Sequence, residues 1–199
     1  MHLGIHAIVS ACRILEGLFI ALLIAVPIGL LLANCPRINK ICSPLIYFTY
    51  PVPKLALLPI VMLSLGIGEA AKITMIVLIL VFQLIVSIRD ATLHIPQEEF
   101  HAALSLGANN RQLLIWITLP AILPAALTAI RVAIGTATSV LFFTETFGTD
   151  KGMGFYIVDS WMRLAYGEMY AGIFVLSLLG FILFFAVDLL EKKVCRWRN

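Results

Sequence analysis

Few residues of this chain are of types that do chemistry, and the charged ones among them interrupt apolar sequence. Arg13 and Glu16 stand i,i+3 near the start of the first apolar segment, on one helical face, so they can pair. Arg131 and Glu145 are the ionisable residues of a later apolar region. Charges at membrane depth face a bundle interior or a water-filled path, and near segment ends they reach the headgroups. Arg13, Glu16, Arg131 and Glu145 are therefore the candidates for a solute path. The four histidines (His2, His6, His94, His101) offer one i,i+4 pair, His2 and His6, and a closed metal site needs more ligands than that. The four cysteines (Cys12, Cys35, Cys42, Cys195) form no CxxC pair. Neither a GxxxxGK[ST] phosphate loop nor a nucleophile elbow occurs. The reading is a non-catalytic chain with no cofactor, in which any energy coupling needs a partner to supply hydrolysis.

The stretch His94–Pro120 is an island of polar and small residues between two long apolar segments. Pro96 suits the first turn of a helix, and Glu98 and Glu99 complement the positive end of its dipole. Gly107 stops that helix as a C-cap glycine does, and Asn109 is a good N-cap for a second helix. The expected product is a short helix over Pro96–Leu106, a tight turn, and a second helix carrying Leu113, Leu114, Ile115 and Trp116 towards the membrane. Ala102, Ala103 and Ser105 give the first helix a surface that another protein can approach closely, which suggests docking.

The elements that position these residues are apolar spans. The 199 residues are 61% hydrophobic and 13% charged, against about 45–50% apolar and about 25% charged in a soluble domain. Runs able to cross about 30 Å of hydrocarbon at about 1.5 Å per residue recur about five times. They are approximately 8–32, 45–65, 71–88, 117–147 and 170–190. The second is broken by Pro51, Pro53 and Pro59. In the third, Gln83 and Ser87 are expected to make interhelical hydrogen bonds. In the fourth, Pro120 and Pro124 bend the start, and Arg131 is a functional candidate or a structural ion pair. Residues 148–168 read as a long connection. The whole is one all-α membrane domain over 1–199. The N-terminus lacks a basic n-region and a cleavage site, so the first apolar segment is expected to stay in the mature chain. The net charge of +3 is spread over loops and tail, with no nucleic-acid patch. With five spans, the inside segments hold eight cations (Arg37, Lys40, Arg89, Arg111, Lys192, Lys193, Arg196, Arg198) against three outside (Lys72, Lys151, Arg163). This puts the N-terminus outside and the 94–120 loop and C-terminus in the cytoplasm.

His101-Ala102-Ala103, Gly107, and Ile117, Leu119 and Pro120 resemble the cytoplasmic EAA loop of ABC-importer permeases in every spacing, with His101 where that family has its glutamate. The Pro53–Pro59 segment, Gly66-Ile67-Gly68-Glu69, and the stretch around Arg131 with the later Glu145 are similar to the nitrate/taurine/sulfonate group. That group usually carries one more N-terminal helix. The resemblance implies the type I importer permease fold with about five transmembrane helices in the inner (plasma) membrane. It also implies a second permease copy forming a homodimer, cytoplasmic ATP-binding subunits and an external substrate-binding protein. The implied ATPase-coupling residues are Glu98, Glu99, His101, Ala102, Ala103, Gly107, Ile117, Leu119 and Pro120. The implied solute is a small anion, which Arg13 and Arg131 would attract. An ion-coupled secondary carrier is the alternative, and it predicts transport driven by an ion gradient and often an internal repeat. A non-transporting membrane scaffold is the third reading, in which the intramembrane charges have no evident use.

Overall fold

The computed structural model describes residues 3–49 and 51–196. His2, and with it the His2–His6 pair, lies outside the described residues. The first span is α1, Leu3–Asn34, which continues through Pro27. It crosses α4, Glu69–Leu93, more extensively than any other pair of helices packs. Gly17 sits where a Cβ would come within 2.6 Å of Ile76, and Gly29 where one would come within 2.9 Å of Ile88. Small residues at a crossing let backbones approach closely, the main source of helix association where no hydrophobic force operates between helices in lipid. α7, Leu119–Glu145, covers the other side of α4, and Leu80, Leu84, Ala133, Ala137 and Leu141 close the core between them.

The second apolar stretch departs from the single kinked span expected of it. It forms α2, Pro36–Thr49, then a 3₁₀ turn, Lys54–Leu57, running into α3, Leu58–Leu65. The two arms meet at 81°. The prolines explain the break: Pro51 and Pro53 have no N–H to donate, and Pro53 excludes its predecessor from helical geometry.

Residues 148–168 also differ from the plain connection expected. They contain α8, Met153–Met162, which buries Met153, Tyr156, Ile157 and Ser160 against α7 and the helix that follows. α9, Tyr166–Val194, is the last span, and its membrane-length window is only 6% buried, leaving Phe174, Leu178, Phe181 and Phe185 on the bundle surface. Among the described residues four helices are thus long and apolar enough to cross a membrane, or five if the bent pair is one span. Lys72 and Arg89 belong to the buried face of α4 rather than to loops. Leaving both out keeps the cation bias at seven against two.

Candidate functional site

The loop at one end of α4 is built as its caps dictate. α5, Gln97–Ser105, starts after Pro96, with Glu98 and Glu99 in its first turn. Gly107 ends the turn at φ +82°, a conformation open to glycine without steric cost. α6, Asn110–Leu113, opens with a full capping box: Asn109 Oδ1 accepts from Gln112 N at 3.0 Å, and Asn109 N donates to Gln112 Oε1 at 2.8 Å. One π-helical turn, Leu114–Thr118, then carries the chain into α7. Pro120 accounts for that turn, because its ring collides with the carbonyl of Trp116 in an unbroken α-helix. Ile117 is half-buried, while Leu119 and Pro120 begin α7.

No residue of α5 is buried. His101 and Ala102 are exposed, Leu104 is 50% exposed, and Leu106 is 90% exposed. Ala103 differs from its neighbour: it is half-buried and lines a small cleft with Ala108, Gln112, Trp116 and Ile117. The free face of the helix therefore runs through Glu98, His101, Ala102 and Leu106. A nine-residue helix has too little propensity to stand alone in water. Here Phe100 packs it on the cluster of Ile88, Ile95 and Ile122, and the opposite face is left exposed.

The opposite ends of α1, α4 and α7 hold a charged cluster. Arg13 Nε donates to Glu69 Oε2 at 2.6 Å, and Nη2 reaches the other oxygen of the same carboxylate. Nη1 donates to Glu145 Oε1 at 2.7 Å and to the Lys151 carbonyl at 3.0 Å. Four of the five guanidinium N–H groups are thereby used. Glu145 is fully buried and also accepts from Gly154 N at 2.9 Å. Ser10 Oγ lies 2.8 Å from both of its oxygens and accepts from Met153 N. Arg13 meets Glu69 at the very start of α4, so the first turns of α1 project beyond that level. There His6 Nδ1 accepts from Gly152 N at 3.1 Å.

The expected Arg13–Glu16 pair does not form, and Glu16 is exposed. A basic residue N-terminal to an acidic one is the weaker order on a helix, and two carboxylates from other helices outbid it. Arg131 is far from this cluster, ion-paired with Asp188 and Glu191 of α9 with Phe184 beside it. Arg13 and Arg131 thus do not converge on one path. Ser87 Oγ donates to its own helix at the Gln83 carbonyl, not across helices. Gln83, Ser87, Asp90, His94, Glu99 and Thr128 instead line a cavity of about 860 Å³ between α4, the loop and α7. Sequence spacing missed Ser10, Glu69 and His6 because their partners are far away along the chain.

The family described as "Binding-protein-dependent transport system inner membrane component" matches residues 25–196. The chain is 33% identical to the taurine transport system permease protein TauC of Escherichia coli (strain K12) over 194 residues, covering 98% of this chain and 70% of that protein. It is 28% identical to the putative aliphatic sulfonates transport permease protein SsuC of Bacillus subtilis (strain 168), with the same coverage. It is also 28% identical to the formylaminopyrimidine transport permease protein ThiX of Halalkalibacterium halodurans, covering 92% of this chain and 73% of that one. Among solved structures, a chain of the MetNI methionine ABC transporter in an inward-facing conformation superposes with a TM-score of 0.83 at 21% identity, covering 98% of this chain and 97% of that one. This likeness establishes the type I importer permease fold.

Proposed function

Because the chain belongs to the binding-protein-dependent transport system inner membrane component family, and is a multi-pass permease subunit of an ABC importer, we propose that it moves a small organic anion of the sulfonate class with α5 as its ATPase-coupling element. The functional unit is one transmembrane domain over residues 1–199, paired with a second copy. Two cytoplasmic ATP-binding subunits supply the hydrolysis, for which this chain carries no phosphate loop, and an external binding protein delivers the solute. The 94–120 loop and the C-terminus face the cytoplasm, and the N-terminus faces outside.

The observation that carries the coupling assignment is the bare outer face of α5. α5 has a proline start and a positive-φ glycine stop, α6 follows with a capping box, and Phe100 packs α5 on Ile88, Ile95 and Ile122, so its exposed face is a handle braced against its own chain. A push from closing ATPase subunits would pass through the π turn into α7, and packed helices convert such a push into a discrete shift. Glu98, Glu99, His101, Ala102 and Leu106 would touch the ATPase. Ala103, Gly107, Ile117, Leu119 and Pro120 would hold the handle's shape. The sulfonate class is drawn from the names of the similar proteins TauC and SsuC.

The test is uptake of taurine and ethanesulfonate into vesicles holding the permease, its ATP-binding subunits and the binding protein. Uptake that needs internal ATP and persists without ion gradients is the expected result. Uptake that follows an imposed ion gradient without ATP would overturn the coupling assignment.

A further inference from the structure

We propose that the cavity between α4, the 94–120 loop and α7 is one half of the solute path, with the Gln83 amide at its deep end as a solute contact, and that its lining selects a solute carrying N–H donors beside the anionic group. This rests on the importer reading above and narrows its sulfonates to those that bear an amine. Gln83 stands about 21 Å along α4 from Glu69 and about 15 Å from Leu93, at about 1.5 Å per residue, well inside a membrane-length helix. Lipid offers an amide no hydrogen-bonding partner, so at this depth Gln83 must face protein or water. Among the described residues its side chain makes no hydrogen bond, and it lines the cavity of about 860 Å³.

The cavity follows α4 from Gln83 to His94 and α7 from Val132 to Ala121, about 17 Å along each helix. Its lip carries the exposed His94 and Glu99. At the far end of the bundle, Arg13, Glu69 and Glu145 tie α1, α4 and α7 together. A polar recess open at one end of a bundle that is tied shut at the other is the form a path takes when it shows its solute to one side at a time.

Hydrogen-bond polarity then selects the solute. Ser87 Oγ donates to the Gln83 carbonyl at 2.9 Å and Thr128 Oγ1 to the Pro124 carbonyl at 3.0 Å, so both hydroxyls keep only lone pairs to offer. His94 Nδ1 lies 2.6 Å from the Asp90 carbonyl oxygen, which can only accept. The proton is therefore on Nδ1, and Nε2 of the neutral ring is an acceptor. The carboxylates of Asp90 and Glu99 accept as well. No lysine or arginine lines the cavity among the described residues, and the nearby Arg89 is spent on Asp90, Ser43 and Tyr47. The Gln83 amide nitrogen is thus the side-chain donor in a lining otherwise made of acceptors. It suits an oxygen of a sulfonate, while the groups around it call for N–H on the solute. An ammonium beside a sulfonate satisfies both.

The test uses the full complex, with taurine, N,N,N-trimethyltaurine and ethanesulfonate as probes. In a chain whose four native cysteines are replaced, Ala125→Cys places a thiol on the exposed α7 wall of the cavity. In lipid nanodiscs it should react with 2-sulfonatoethyl methanethiosulfonate at rest. Taurine should slow that reaction at least threefold, and neither trimethyltaurine nor ethanesulfonate should. Adding Gln83→Leu should abolish the protection. In vesicles, Gln83→Leu should lower ATP-driven taurine uptake about tenfold or more, the scale of one hydrogen bond to a charged group, while the ATPase still co-purifies. A thiol inert with and without ATP would overturn the path placement and leave lipid or the second copy as the filling. Equal protection by all three probes would overturn the amine requirement. Wild-type uptake and protection in Gln83→Leu would overturn the role of the amide. If the wild type took up none of the probes, the sulfonate reading would fall and the amine with it, while labelling alone would still decide for or against the path.

Discussion

The two ends of the bundle are made on opposite terms. At the Arg13 end, α1, α4, α7 and the turn before α8 meet on two carboxylates and a guanidinium, and almost every polar group has a partner within the chain. At the α5 end a short helix between Pro96 and Gly107 packs through Phe100 on its own chain and leaves its outer face bare. The first end is closed upon itself and the second is unfinished. In a transport subunit that difference separates what must stay fixed from what must be gripped. A buried ion pair is weak evidence of net stability, since desolvation offsets much of its attraction. What it does here is tie segments together: Glu145 of α7 accepts from Ser10 and Arg13 of α1 and from Gly154 of α8, and Arg13 joins Glu69 of α4 to them.

The comparison breaks most visibly at Arg13. Arg13→Met leaves the buried Glu145 uncompensated and should destabilise the folded permease by about 3–5 kcal/mol, read as a lowered melting temperature in detergent. A loss under about 1 kcal/mol would mean that water reaches the cluster and that it is not closed. At the other end, Leu106→Glu should leave the melting temperature unchanged and weaken ATPase binding. Loss of one buried leucine's contact is worth about 1.5–3 kcal/mol, or about ten- to a hundredfold in affinity. Asn109→Ala removes the capping box and should cost about 1 kcal/mol of local stability, detected as faster amide exchange over residues 97–113. The smallest effect is expected at Glu16, which is exposed and touches neither region. Glu16→Gln should change stability by less than about 0.5 kcal/mol, and a larger change would place another chain against it.

The α5 end was legible in the sequence because its signals are local. Pro96, Gly107 and Asn109 each act within one turn, so caps and stops follow from residue type and order, while Gln112 as the other half of the capping box came from the structure. The four long spans were legible from hydropathy for the same reason. The Arg13 end was not. Glu69 and Glu145 lie 56 and 132 residues from Arg13, and nothing in their local sequence names the partner. The nearer Glu16 fits helical spacing and loses to carboxylates that folding brings in. α8 was hidden because glycine, aromatic and β-branched residues give it little helical propensity, and its order comes from burying Met153, Tyr156 and Ile157. The prolines announced a kink in the second span, but the 81° angle and the placing of Lys54 against Phe82 depend on packing with α4.

The central claim is that the bare face of α5 is where the ATPase holds this subunit. Its most direct test is retention of the ATP-binding subunits by equal amounts of folded wild type, Ala102→Glu and Leu106→Glu. Ala102 and Leu106 are the probes because both are exposed, whereas a charge at the half-buried Ala103 would also disturb the turn. Retention by wild type and loss in both variants, at an unchanged melting temperature, is the predicted result. Equal retention by all three would contradict it and place the coupling surface elsewhere.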